Sequence, residues 1–171
     1  MWNIICMLLL SYLVSSNTAE SEFELTFYDI DITEISSEYV SNVEAYVNDD
    51  NSGFFLNFTL IKRFPDTARL LYKLLGSSMG EYIMPTGMNI DTGLCEVFEP
   101  NYRLIGDQIE QIGINGDNCP PSPGTYTAEN IALSSENLPD VFPPNNYVAI
   151  IKLYNGFENF GVFKAFVRLA M

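Results

Sequence analysis

Residues 53–63 read Gly-Phe-Phe-Leu-Asn-Phe-Thr-Leu-Ile-Lys-Arg. In an extended chain Phe54, Leu56, Phe58 and Leu60 share one side, while Phe55, Asn57, Thr59 and Ile61 share the other. A period of two residues marks a strand with one face against a core. The turn-rich stretch Asn48-Asp49-Asp50-Asn51-Ser52-Gly53 comes just before it. On the far side of that turn, Tyr39–Val47 alternates as well, with Val43, Ala45 and Val47 on one side. The two segments read as a β-hairpin.

The same pattern extends outward in both directions. Residues 23–35 alternate acidic and apolar positions, Ile30 and Ile32 opposing Asp29 and Asp31. Residues 69–79 permit a helix by leucine spacing, but the Gly and Ser that follow and the strand-rich neighbours favour a strand. In the last third, strands are expected at 125–133, 147–154 and 162–169, with Asn155-Gly156 as the turn between the final two. One helix stands out at 102–114, where Leu104, Ile105, Gln108, Ile109 and Ile112 form a stripe. No internal repeat is present. The expected fold is all-β, a two-sheet immunoglobulin-like sandwich with one short helix around residues 102–114.

Composition removes several functions. The 171 residues carry 22 Asp+Glu against 8 Lys+Arg, no histidine and a net charge of −14. Such a chain cannot displace counterions from nucleic acid, nor dock on anionic membranes by overall charge. Without histidine there is no Ser–His–Asp or Cys–His nucleophile and no imidazole metal site. No Walker loop or GxGxxG after a strand occurs either. Ten carboxylates lie between Glu20 and Asp50 with no basic residue among them. Asp29-x-Asp31 and Asn48-Asp49-Asp50 resemble calcium ligands, yet neither continues as an EF-hand loop. They read as a solvated strand face and a hairpin turn. No catalytic residue, metal ligand or cofactor is expected.

The first residues point outside the cell. Ile4–Val14 is an apolar run of 11 residues without a charge. It is too short to span a bilayer, which takes about 20 residues. The polar SSNTAE that follows offers cleavage after Ser16 or after Ala19. Residues 1–16 therefore read as a secretory signal peptide, leaving 17–171 as one secreted domain with no membrane span. The two remaining cysteines, Cys95 and Cys119, read most simply as one disulfide in an oxidising compartment. Asn57-Phe58-Thr59 is the single N-glycosylation sequon, with Asn57 opposite the more apolar face.

The chain contains 10 Tyr, 12 Phe and 6 Met. A filled core and a lined cavity use the same side chains, so composition leaves both readings open. In the cavity reading, Phe54, Leu56, Phe58 and Leu60 face Ala149, Ile151, Leu153, Phe163, Ala165 and Val167 across the sandwich, and Tyr82 stands at the mouth. Packed sheets lie about 10 Å apart, so a cavity requires them to splay.

The order of motifs adds an association. Gly80-Glu81-Tyr82, then Met88-Asn89-Ile90-Asp91-Thr92-Gly93-Leu94-Cys95, then the helix, then Asn118-Cys119-Pro120 precede Leu138-Pro139, Pro143-Pro144 and Asn146-Tyr147-Val148-Ala149-Ile150. This order resembles a family of secreted insect proteins that includes the CheB chemosensory proteins. That family is related to the ML lipid-recognition superfamily and the ganglioside activator protein. Members often carry further cysteines toward the N-terminus, whereas this mature chain has none before Cys95. The resemblance implies an ML-like sandwich holding a lipid or other hydrophobic small molecule, secreted and non-catalytic. It also implies an extracellular receptor as partner, in contact chemosensation or pheromone response. The alternative from another class is an extracellular interaction module with a solid core, meeting a basic protein partner through its acidic face.

Overall fold

The hairpin read from residues 39–60 forms as β2 (Val40–Val47) and β3 (Gly53–Leu60), closed by the polar turn between them. In this computed structural model, residues 24–133 and 142–170 are described. The expected leader, residues 1–16, and the Leu138-Pro139 pair lie outside them. The remaining strands are β1 (Glu24–Thr33), β4 (Arg69–Ser78), β5 (Glu81–Gly93), β6 (Gly124–Ala132), β7 (Asn145–Asn155) and β8 (Glu158–Ala170). One α-helix, α1 (Arg103–Glu110), lies between β5 and β6, flanked by 3-10 turns at Leu94–Phe98, Pro100–Tyr102 and Gly116–Asn118.

Two antiparallel sheets result. The larger has the order β1-β8-β7-β4-β5 and the smaller β2-β3-β6. The described residues form an all-β sandwich with one short α-helix, as the alternation predicts. Period-two patterning puts Leu70, Tyr72 and Leu74 of β4 and Tyr147 and Ala149 of β7 inside, each under one-tenth exposed. Their sequence neighbours Leu71, Lys73, Ile150 and Lys152 fall on the opposite face. The helix is shorter than the expected 102–114, because the residues after Glu110 turn through Gly113 at φ 82°. That left-handed conformation suits glycine, which has no Cβ to clash.

Departures from simple alternation shape the sandwich, two of them in the edge strands of the larger sheet. The β1–β8 register shifts between Phe27 and Asp29, so the inward set changes from Leu25 and Phe27 to Ile30 and Ile32. A bulge of this kind lets one strand present apolar residues inward on both sides of a bend. The second is β5, which carries Pro85 and Gly87 and pairs with the rest of its sheet only through β4. Proline lacks the N–H a central strand needs and is confined to such edges.

At the β1 edge the sheets are stitched together. Phe27 N–H donates to the Asn51 carbonyl at 2.9 Å, and Ser36 N–H to the Phe160 carbonyl at 3.0 Å. Phe54 bridges the layers there, with ring centroids 5.4 Å from Phe27 and 5.3 Å from Phe163. A second aromatic group, Tyr39, Phe64 and Phe160, packs with centroids 4.5–5.8 Å apart. Between these fixed contacts the sheets part.

Candidate functional site

A cavity of about 190 Å³ lies between the sheets and under α1. From the smaller sheet, Val40 and Val43 of β2, Phe54, Leu56 and Phe58 of β3 and Ile131 of β6 form one wall. From the larger sheet come Ile32 of β1, Leu70 of β4, Ile151 and Leu153 of β7 and Phe163 of β8. The third wall is the helix and its flanks: Gln108, Ile109 and Ile112, with Leu94, Phe98, Ile114 and Cys119. Ile35, 37% exposed, lies on the rim. Among the described residues, Gln108 is the one polar side chain in contact with the space. An engineered cavity of about 150 Å³ with such walls stays dry and takes up benzene, so this space is of a size and chemistry to hold a small apolar molecule.

Covalent and hydrogen-bonded ties hold the helix over the gap. Cys95 and Cys119 are disulfide-bonded, with Cα atoms 5.5 Å apart, so the loop bearing α1 is closed at its base. The pairing is the one expected for the two cysteines that follow residues 1–16. Gly106 lets α1 approach the 3-10 turn closely, since a Cβ there would lie 2.6 Å from the Val97 carbonyl oxygen. At the other end Gln111 clasps β6: its Oε1 accepts from Ala132 N–H at 2.9 Å, and its Nε2 donates to the Ala132 carbonyl at 3.1 Å.

The turn carrying Cys95 is itself pinned. Thr92, 3% exposed, donates its hydroxyl to Glu96 Oε2 at 2.5 Å, and Gly93 N–H donates to the same oxygen at 2.8 Å. The Thr92 hydroxyl, then the Gly93 amide, hold the Glu96 carboxyl below its ordinary range, because both bonds favour the charged form. Deeper in the sandwich, burial alone pushes the Tyr72 phenol up to about 12.

The structure sorts the residues that alternation nominates. Phe54, Leu56, Phe58, Ile151, Leu153 and Phe163 come together on the cavity wall. Four others lie elsewhere. Leu60 and Ala165 are buried in packed core, and Ala149 and Val167 border a separate void of about 30 Å³, room for one water. Alternation gives the face a residue occupies but not its height along the sheet, and the sheets part over only some of their length. Tyr82 also departs from expectation. It lies away from the cavity, its ring 5.4 Å from Phe166 and its hydroxyl bonded to that of Tyr28. Phe166 alternates with the inward Ala165 and Val167, so Tyr82 belongs to the outer face of the larger sheet.

Asn57 faces outward from β3 as expected and is half-buried. Its Nδ2 donates to the Asn42 carbonyl at 3.3 Å, and its Oδ1 accepts from the Thr127 hydroxyl at 2.7 Å. On the larger sheet, Asp31 pairs with Lys164 at 2.9 Å. The helix wall was not nominated from sequence, although its stripe was legible. Periodicity showed that one side of residues 104–112 seeks apolar company but not where that side would dock.

Among the described residues no helix is long and apolar enough to cross a membrane. No protein-family model matches the chain, and no curated protein matches it.

Proposed function

We propose that this protein is a secreted, non-catalytic carrier or presenter of a lipid or other hydrophobic small molecule, held between the two sheets. The observation that carries the reading is the cavity of about 190 Å³ with a nearly unbroken apolar wall. Burying a ligand's apolar surface there yields about 25 cal/mol per Å² removed from water. The wall is assembled from two sheets and a disulfide-anchored helix, so opening it needs little disturbance of either sheet. The order of motifs shared with the CheB and ML lipid-recognition families supports the same reading, and it supplies contact chemosensation or pheromone response, with an extracellular receptor, as the setting.

The test is native mass spectrometry of protein secreted from insect cells, followed by solvent extraction and identification of what is released. A stoichiometric adduct of an apolar compound supports the proposal. Protein that emerges empty and also takes up no hydrophobic probe on titration contradicts it, and favours an interaction module.

A further inference from the structure

Where α1 and the turn after it meet the cavity they are apolar at Ile109 and Ile112 and polar only at Gln108. Leucine at that position would complete the stripe with no loss of helix propensity. The amide's orientation is fixed chemically. Gln108 Nε2 lies 2.9 Å from the Leu104 carbonyl, which can only accept, so the edge facing it must be the NH₂. The amide oxygen is left without a hydrogen-bond partner among the described residues, at the margin of a space lined by hydrocarbon. In a pocket walled by hydrocarbon the few polar groups fix a ligand's orientation.

We propose that Gln108 Oε1 is the ligand's polar anchor, and that the cavity selects molecules bearing a hydroxyl on an apolar body over isosteric ethers or hydrocarbons. This rests on the carrier reading and narrows it to a ligand class. A hydroxyl donates to Oε1, whereas an ether oxygen has no proton to give and would set two acceptors against each other. The volume limits the apolar body to roughly a benzene ring or a short chain.

n-Heptanol and its isomer hexyl methyl ether separate the possibilities, because they match in atoms and differ in the donor. Calorimetric titration of the disulfide-bonded protein and of Gln108→Leu gives four dissociation constants. The preference for the alcohol over the ether should be about three- to tenfold greater in the wild type than in Gln108→Leu, as expected for one hydrogen bond. Gln108→Met, matched in length and flexibility, repeats the comparison if the leucine variant does not fold. Binding of both isomers with a preference unchanged by substitution overturns the role of Gln108 and leaves the carrier reading standing. Failure of both isomers to bind the wild type overturns the carrier reading itself.

Discussion

Gln111 grips Ala132 as a neighbouring strand would, accepting its N–H at 2.9 Å and donating to its carbonyl at 3.1 Å. One side chain thus supplies the last rung of β6 and fastens the C-terminal end of α1 across the gap between the sheets. Gln111→Ala removes both bonds and costs about 1–3 kcal/mol. Amide exchange within residues 103–110 should then accelerate more than in the strands, measured by hydrogen exchange with mass spectrometry. Equal protection in the two proteins would show that the clasp does not hold the helix.

Leu56 projects from the middle of β3 into the cavity. Leu56→Trp should fill the space and abolish uptake of an apolar probe while the thermal midpoint stays near the parent's. Were the interior solid, the larger ring would overpack it and cost roughly 1–3 kcal/mol. Thermal unfolding and probe titration on the same sample separate the two outcomes.

Reducing or replacing the Cys95–Cys119 bond opens a loop whose ends are 24 residues apart in sequence. By chain entropy the Cys95→Ser, Cys119→Ser protein should lose roughly 3–4 kcal/mol in denaturant unfolding. The helix wall rides on that loop, so ligand uptake should fall even under conditions where the double variant remains folded.

Glu96 predicts a pH effect of definite sign. Its carboxyl titrates lower in the folded chain than in the unfolded one, because the Thr92 hydroxyl and Gly93 N–H bind its charged form. The stability it contributes is therefore full above the ordinary glutamate value, about 4.3, and is lost as pH falls through the lower folded value. Glu96→Gln does not titrate. The stability difference between the two proteins should narrow from pH 6 to pH 3, approximate set points spanning that range, in paired denaturation curves. A constant difference would contradict the assignment.

How far the sequence could be read depends on the residue type at each position. Strands β3, β7 and β8 were legible because their alternation is long and their inward residues are large. Strand β5 was not legible by alternation, because Pro85 and Gly87 interrupt any periodic signal, and its edge position tolerates both. The inward parity of β1 reverses at the bulge after Phe27, so one phase describes only half the strand. The pairing of Cys95 with Cys119 followed from there being two cysteines beyond the expected leader. The cavity was legible as a set of facing strands but not as a space, since Leu56 and Leu60 share a face and only Leu56 reaches it. Its helical wall depends on Gly106 and Gln111, whose roles come from contacts with Val97 and Ala132 that no local pattern encodes.

The central claim, that the gap between the sheets holds an apolar molecule, is tested most directly by soaking crystals of the protein with a short bromoalkane and locating bromine by anomalous scattering. A bromine peak is expected inside the cavity, within contact of Leu56, Ile109 and Ile151, and absent from Leu56→Trp crystals soaked in parallel. Wild-type crystals with no bromine there, and with these side chains packed into the space, would contradict it.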